Sequence, residues 1–186
     1  MVPDHEAIQL ASSAALLREN RLRDMALFNL AIDSKLRACD LLKIRVAAVS
    51  SGGQVNSRAT IMQQTTRRPV RFKITSRTRN SIERWIKATK LSSSRYLFPS
   101  RIHGSLHLST RQYARMVESW VTGISLHAAS YGTHSLRRAK ATLIYRRTNN
   151  LRAVQLLLGH AKLDSTVRYL GIEIYDALEM SEQNDV

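Results

Sequence analysis

Apolar residues recur every three or four positions along most of this chain, which is the spacing of one face of an α-helix. Helix-capping residues precede several of the segments with this spacing, as the first turn of a helix favours. The pattern predicts helices over 4–17, 22–32, 36–44, 75–86, 109–121, 133–144, 150–158 and 164–169, with caps at Asp4, Thr75 or Ser76, Ser109, Thr133, Asn150 and Asp164. A weaker helical pattern covers 174–180.

Three short segments interrupt the helical pattern. Residues 45–49, 59–63 and 70–74 alternate in polarity and are partly β-branched, which is typical of strands. The turn-like sequences SSGGQ and QTTRRP separate them. We therefore expect a mainly helical α+β fold with a small three-stranded antiparallel sheet. The length of 186 residues suits a single domain over 1–186.

The formal net charge of +15 indicates the kind of partner. A charge this large attracts polyanions, and nucleic acid is the common partner of such proteins. The basic residues are spread through core-bearing segments rather than along one amphipathic stripe, which argues against a membrane surface. A single cysteine, Cys39, excludes a disulfide within the chain, and no apolar run has membrane length. We expect a cytoplasmic, nucleoid-associated protein that binds double-stranded DNA.

Five side chains in four short segments suit phosphodiester transfer without a metal. The segments are KLRACDL (35–41), THSLRRAKA (133–141), LLLGH (156–160) and STVRYLG (165–171), and the side chains are those of Arg37, His134, Arg137, His160 and Tyr169. Two guanidinium groups can neutralise the phosphate oxygens that gain charge in the transition state. His134 lies at a predicted helix start, where an anion is favoured, and shares a helical face with Arg137.

Tyr169 is the candidate nucleophile. A neutral phenol needs a cationic pocket and a nearby base, and His160 either helps to deprotonate it or donates to a phosphate oxygen. The covalent bond to Tyr169 would conserve the energy of the cut strand, so we expect no cofactor and no metal. Each residue taken alone has a structural explanation, such as a surface arginine or a half-buried tyrosine. The ordered set on a strongly basic chain favours the DNA reaction.

These motifs resemble those of the tyrosine recombinase, or phage integrase, family. The matching stretches are L-R-x-x-[DE]-L at 36–41, H-x-L-R-R at 134–138, L-L-G-H at 157–160 and S-T-x-x-Y at 165–169, within a similar region of about 20–175. The resemblance implies a catalytic domain that cuts and rejoins DNA through a 3′-phosphotyrosine. In it, Arg37, His134, Arg137 and His160 activate the phosphate and Tyr169 attacks it. Self-association on DNA, as a dimer or tetramer, is also implied.

The chain departs from the family in the turn between the second and third predicted strands. The family carries a lysine there that protonates the leaving 5′ oxygen, whereas Thr65 is the equivalent position in MQQTTRRPV. The neighbouring Arg67 and Arg68 are poor proton donors, because a guanidinium group does not readily release its proton. We expect these two arginines, with Arg138 and Lys140, to contact DNA.

A second departure concerns the ends of the chain. The N-terminal core-binding domain of the family has no counterpart in this sequence, so we expect the grip on DNA to depend on charge and on contacts between protomers. The tail at 172–186 carries apolar residues. We expect it to dock either on a neighbouring protomer or on its own domain.

Three other functions stay open on the residues alone. Because Thr65 replaces the lysine, the chain is alternatively a catalytically weak homologue that binds DNA and regulates a site. His103 and His107 have the H-x-x-x-H spacing of a metal site, but the glycine and serine between them favour a loop. A helix-turn-helix repressor would suit the charge and the helices, but it would leave the ordered arginines and histidines unexplained.

Overall fold

The computed structural model describes residues 21–101, 104–124 and 131–171. Its helices are α1 Leu22–Ser34, α2 Ala38–Leu41, α3 Val46–Val49, α4 Ser76–Thr89, α5 Thr110–Thr122, α6 Thr133–Thr148, α7 Leu151–Leu158 and α8 Leu163–Leu170. Its strands are β1 Ser50–Ser51, β2 Gln54–Val55, β3 Arg58–Met62 and β4 Pro69–Lys73. The predicted helices at 4–17 and 174–180 lie outside the described residues. Within the described ranges, no helix has the length and apolarity needed to cross a membrane.

The strands form two antiparallel pairs, β1 with β2 and β3 with β4. In the β3–β4 pair, Arg58 lies opposite Lys73 on the exposed face, and Ala59 lies opposite Phe72 on the buried face. The predicted class, mainly helical with small antiparallel strands, is confirmed. The second and third predicted strands coincide with β3 and β4 apart from a shift of one residue.

The first predicted strand, 45–49, is wrong. Arg45 makes only an isolated antiparallel bridge to Tyr96, and the residues after it form the short helix α3. Val46 and Val49 are both buried, and a separation of three residues puts them on one face of a helical turn. The Val46 N–H donates to the carbonyl of Arg95 at 3.0 Å, so a loop replaces the partner strand that the alternation predicted.

Three predicted caps are confirmed, at Thr75, Ser109 and Asn150, whose side chains each accept a hydrogen bond from a backbone N–H in the first turn. Thr133 is not a cap but the first residue of α6, because the chain enters this helix through Gly132. The Gly132 N–H donates to Ser135 Oγ at 3.2 Å. Asp164 likewise is not a cap but lies inside the first turn of α8, which begins at Leu163, one residue earlier than predicted.

Helix α1 is buried almost all the way round, and the main core surrounds it. Eleven of its 13 residues are buried. The ring of Phe28 meets that of Trp120 in α5 edge-on, with centroids 5.6 Å apart. Buried polar groups need partners, and Trp120 Nε1 donates to Asp24 at 3.3 Å. The helix is therefore the central element, against which α4, α6 and β4 pack.

A second, smaller core joins the last three helices. Its buried members are Ala141 of α6 with Val154 and Leu158 of α7. Partly buried apolar side chains pack on them, including Tyr169 and Leu170 of α8. This cluster holds α7 and α8 against α6, so it fixes the segment that contains the candidate nucleophile.

A buried carboxylate connects α6 to the main core. Asp33, near the end of α1, accepts hydrogen bonds from the N–H and hydroxyl of Thr75, from the hydroxyl of Thr78 and from the ammonium group of Lys140 in α6. Burial raises the pKa of Asp33, but the hydrogen bonds and the charge of Lys140 outweigh it and leave the pKa below the ordinary 3.8. The ion pair with Asp33 occupies the ammonium group of Lys140, a residue that the sequence analysis expected to contact DNA.

We expect Asp33→Asn to lower the free energy of unfolding by about 3 kcal/mol at neutral pH, because the part-buried Lys140 loses its counter-charge. The difference from wild type should shrink as the pH falls below 3.8 and through the lowered pKa of Asp33, where the wild-type carboxylate also becomes neutral. Urea unfolding at several pH values measures both effects. The control is Asp164→Asn on the exposed side of α8, for which we expect a change within about 1 kcal/mol. An equal loss in the two variants would contradict the anchoring role of Asp33.

Candidate active site

Four of the five predicted site residues bring their side chains into one cluster. Arg37 precedes α2, Arg137 lies in the second turn of α6, His160 follows α7 and Tyr169 lies near the end of α8. Each therefore comes from a different element. The carbonyl of the last α7 residue, Leu158, accepts hydrogen bonds from Arg137 and from Gln63.

Arg137 is the most constrained of the four. Its side chain is buried, with the residue 4% exposed, and its Nη2 donates to the carbonyl of Leu158 at 2.9 Å. The guanidinium carbon lies 5.2 Å from the centroid of the Tyr169 ring. Burial lowers the pKa of Arg137, yet an arginine keeps its proton in proteins. Its Nε is buried and has no hydrogen-bond partner in the described part of the chain, so the group has donor capacity left for an anion.

Arg37 reaches the same carbonyl through one intermediate side chain. Its Nη1 donates to Gln63 Oε1 at 3.2 Å, and Gln63 Nε2 donates to the carbonyl of Leu158 at 3.1 Å. Gln63 stands just after β3 and is fully buried. The two arginines are thus connected through Gln63 and a main-chain oxygen.

Close packing at Gly159 makes this arrangement possible. Gly159 ends α7 with a φ of 67°, a left-handed conformation that favours glycine. A β-carbon there would lie 2.5 Å from a methyl carbon of Val70 and 2.9 Å from Gln63 Oε1. Only a glycine lets the end of α7 approach the β3–β4 hairpin this closely.

The hydrogen bonds of His160 define its tautomer. Arg137 Nη2 lies 3.4 Å from His160 Nε2, and a guanidinium group can only donate, so Nε2 accepts. The proton is then on Nδ1, which donates to Thr166 Oγ1 at 3.1 Å. Burial, the larger cause, and the charges of Arg137 and Arg37 together lower the pKa of His160 from 6.5 to about 4. The imidazole is therefore neutral near pH 7, with its lone pair on the side of the cluster.

Tyr169 presents a protonated phenol. Its hydroxyl donates to the carbonyl of His134 at 3.4 Å, and its ring meets the ring of His160 edge-on at 5.4 Å between centroids. Burial raises the pKa of Tyr169, while the charges of Arg137 and two other arginines oppose that rise without cancelling it. The phenol must therefore lose its proton to a base before or during an attack.

His134 enters the cluster through its backbone rather than its imidazole. Its carbonyl holds the hydroxyl of Tyr169, whereas the residue itself is exposed in the first turn of α6. This position leaves the imidazole open to a ligand approaching from solvent.

The turn between β3 and β4 closes one side of the site. Thr65 is exposed at its centre, where the sequence comparison expects a lysine. The N–H of Gln64 donates to Asp40 at 2.9 Å, and the ammonium group of Lys43 donates to the Gln64 side chain at 2.9 Å. These contacts fix the turn against α2. Arg67 and Arg68 follow it and are exposed, as is Arg138 beside the buried Arg137.

Two residues of the site were missed by the sequence analysis, Gln63 and Thr166. Gln63 continues the inward alternation of Ala59 and Ile61, so a glutamine at a buried strand position was the available signal. Thr166 is buried three residues before Tyr169, on the same helical face. Both are polar residues at positions that the periodic pattern assigns to the interior.

Of the two histidines of the alternative metal site, His107 lies within the described residues. No group of three or more histidine, cysteine, aspartate or glutamate side chains that could hold a metal ion occurs in residues 21–101, 104–124 and 131–171. His103 lies outside the described residues. His107 Nδ1 donates to the carbonyl of Leu108 at 2.8 Å, and its ring meets the ring of Tyr96 edge-on.

The fold resembles solved recombinase structures. One is the "XerA recombinase", with a TM-score of 0.77 and 17% identity, covering 97% of this chain and 64% of that one. Another is the "XerH site-specific recombinase bound to difH substrate" in a pre-cleavage complex, with a TM-score of 0.73 and 20% identity, covering 97% of this chain and 54% of that one. At these identities, the likeness concerns the fold.

Sequence comparisons give the family. Tyrosine recombinase XerC of Erythrobacter litoralis is 29% identical over 168 residues, which cover 89% of this chain and 51% of that protein. The probable integrase/recombinase YoeC of Bacillus subtilis is 28% identical over 158 residues, covering 85% and 82%. The chain thus spans about half the length of the XerC relative. A sequence model of the Phage integrase family matches residues 3–173, so the chain belongs to that family.

Proposed function

We propose that this chain cuts and rejoins DNA strands site-specifically, through a covalent 3′-phosphotyrosine on Tyr169. The observation that carries the proposal is the joining of Arg37 and Arg137 through Gln63 and the Leu158 carbonyl, with the phenol of Tyr169 against Arg137. Membership of the phage integrase family supports it. The XerH structure named above holds a recombinase on its DNA substrate, which supports DNA as the partner here.

The arginines bind and activate the DNA phosphate. Guanidinium groups match phosphate oxygens in geometry and stay charged, and they stabilise the charge that develops on those oxygens during attack. The Leu158 carbonyl holds Arg137 Nη2, while the buried Nε–H has no hydrogen-bond partner among the described residues. Neither arginine forms a salt bridge with a carboxylate among the described residues, although the charge of Asp40 acts on Arg137.

The proton of the phenol moves to His160. The neutral imidazole lies edge-on to the ring of Tyr169, and its Nε2 lone pair, which accepts from Arg137 Nη2, becomes free when that guanidinium group turns to a phosphate oxygen. As the Tyr169 oxygen bonds to phosphorus and the bond to the 5′ oxygen breaks, Nε2 takes the phenolic proton. The charges of the nearby arginines disfavour the imidazolium form of His160. The proton therefore passes from His160 to solvent. His134, exposed at the start of α6, is placed to donate to a phosphate oxygen.

The leaving 5′ oxygen also needs a proton. Thr65 in the exposed turn cannot supply it, because a hydroxyl group is far too weak an acid at neutral pH. Water supplies it in this scheme. General-acid catalysis is worth about 10²–10⁴-fold, so the reaction proceeds without it at a lower rate.

The surface charge holds the DNA. Arg67, Arg68 and Arg138 are exposed around the site, and the outward face of β3–β4 adds Arg58, Arg71 and Lys73. These cations provide the salt-dependent attraction to the DNA backbone that a protein of charge +15 is expected to have. We include self-association on DNA, as a dimer or tetramer, in the proposal. The tail that could mediate it, 172–186, lies outside the described residues.

The first prediction concerns the covalent adduct. Duplexes of randomised sequence that carry a nick should trap wild-type protein as a denaturant-resistant adduct, because the short strand released by cleavage diffuses away. Tyr169→Phe should form no adduct, because it lacks the oxygen that bonds to phosphorus. Denaturing gels with labelled DNA measure the adduct, and Tyr131→Phe, which changes a tyrosine packed on the main core, is the matched control. DNA binding without any adduct would instead identify a regulatory DNA-binding protein.

The second prediction concerns the leaving group. Thr65→Lys should raise the rate of cleavage about 10-fold or more, because an ammonium group in the turn can protonate the 5′ oxygen. A substrate with sulfur in place of that bridging oxygen needs no proton, so on this substrate wild type and variant should cleave at equal rates. Single-turnover kinetics on both substrates make the comparison. An increase of equal size on the two substrates would mean that the lysine acts by binding DNA and not as an acid.

The third prediction concerns protonation of His160. Its imidazole should titrate near pH 4, and Arg137→Ala should raise that pKa without restoring the ordinary 6.5, because burial is the larger cause. NMR titration of the ring carbons measures it. Because the unfolded chain takes up this proton first, folded stability should fall as the pH drops from 6.5 towards 4. A wild-type midpoint near 6.5 would contradict the assignment of a neutral acceptor.

A further inference from the structure

We infer that Gln63 is a positioning residue that sets the separation and direction of the two phosphate-binding arginines. The inference rests on the proposed function and adds a residue outside the five that the motifs identified. Gln63 touches neither the phenol nor the imidazole in the described contacts. It acts on the reaction through Arg37 and through the carbonyl that holds Arg137.

Three hydrogen bonds use both ends of the Gln63 amide. Its Oε1 accepts from Arg37 Nη1 at 3.2 Å and from Thr66 Oγ1 at 2.7 Å. Its Nε2 donates to the carbonyl of Leu158 at 3.1 Å, the oxygen that also accepts from Arg137 at 2.9 Å. A single amide therefore couples the group before α2 to the group in α6.

The chemistry of the partners fixes the direction of this amide. Arg37 can only donate and the carbonyl of Leu158 can only accept, so the oxygen must face the arginine and the nitrogen must face α7. Reversing the amide would place two donors together at one end and two acceptors at the other. The residue at this position needs one acceptor and one donor on a side chain of this length, which glutamine provides without a charge.

The surroundings leave the amide no freedom to move. Gln63 is fully buried. Its backbone N–H donates to the carbonyl of Arg68 at 3.0 Å, and its own carbonyl accepts from the Arg67 N–H at 3.0 Å, so the turn closes on it. On its other side Gly159 approaches so closely that a β-carbon would lie 2.9 Å from the amide oxygen. A displacement of Gln63 must therefore shift the α7 end and with it Arg137.

Two substitutions test this role. Gln63→Met keeps the length of the side chain and removes both hydrogen-bonding groups. Arg37 then loses its hydrogen bond to the amide oxygen, and the Leu158 carbonyl that holds Arg137 loses its bond to the amide nitrogen. Gln63→Glu keeps the acceptor for Arg37, places a second acceptor against the Leu158 carbonyl and adds a charge that competes with phosphate for Arg37. Gln64→Met is the matched control, because Gln64 anchors the same turn through Cys39 and Lys43 but contacts neither arginine.

The kinetic readout separates positioning from folding. At saturating nicked DNA, Gln63→Met should lower the single-turnover rate of adduct formation about 30-fold or more, as small misplacements of reacting groups do, while the DNA dissociation constant changes less than about 3-fold. Gln63→Glu should lower the rate and also weaken binding. Gln64→Met should leave the rate within about 3-fold of wild type. A variant rate equal to wild type, or a loss in the rate no larger than the loss in binding, would overturn the inference.

A second readout does not depend on cleavage. Nitrogen-15 spectra of the arginine side chains, assigned with Arg37→Lys and Arg137→Lys, report the guanidinium groups directly. In Gln63→Met the signals of both Arg37 and Arg137 should move, and in Gln64→Met neither should. Movement of the Arg37 signal alone would refute the bridge. If wild type forms no adduct on any duplex, the proposed function fails, and these spectra alone decide the role of Gln63.

Discussion

The candidate site depends on one backbone oxygen. The last carbonyls of an α-helix have no partner within the helix and carry the negative end of its dipole, so they attract cations and donors. In this chain the carbonyl of Leu158 takes a guanidinium donor from Arg137 and an amide donor from Gln63. The end of α7 thus holds Arg137 directly and Arg37 through Gln63. The geometry of the candidate site follows from the position of α7.

The rest of the fold keeps that helix end in place. Gly159 lets α7 meet the hairpin without a clash, and the small core of Val154 and Leu158 holds α7 against α6. The hydrogen-bonded carboxylate of Asp33 then connects α6 to the main core through Lys140. Because Arg137 and Lys140 lie one turn apart on α6, the same helix carries the cation that binds Asp33 and a cation of the candidate site. The neighbouring Arg137 and Arg138 differ in burial. Only Arg137 lies on the inward face of α6, and Arg138 is exposed.

Much of this arrangement could be predicted from the sequence because helices and caps are local. The amphipathic spacing located α5 and α7, and Ser109 and Asn150 marked their helix starts through side-chain bonds that span three residues. The strand predicted at 45–49 was wrong because alternating polarity over so few residues fits one turn of a helix as well as a strand. Only the loop at Ser93 and Arg95, distant in sequence, decides between them. The class of the fold was secure because it rests on many segments together.

The candidate site shows the same division. Motifs identified Arg37, Arg137, His160 and Tyr169, since each lies in a short recognisable stretch. The sequence analysis missed Gln63 because its place in the site depends on two hydrogen bonds to residues far away along the chain, Arg37 and Leu158. No local sequence pattern encodes such bonds. The tautomer of His160 likewise depends on Arg137 and Thr166 together. Long-range polar contacts are where sequence reasoning stops, and they decide how the residues named by the motifs act.

The central claim is that the two arginines and the tyrosine share one DNA phosphate. A crystal structure of Tyr169→Phe bound to duplex DNA tests it most directly, because this variant can hold an uncut strand. The account predicts one backbone phosphate with oxygens within hydrogen-bond distance of both Arg37 and Arg137, and the ring at position 169 facing its phosphorus. A duplex bound elsewhere on the basic surface, with no phosphate between the two arginines, would contradict it.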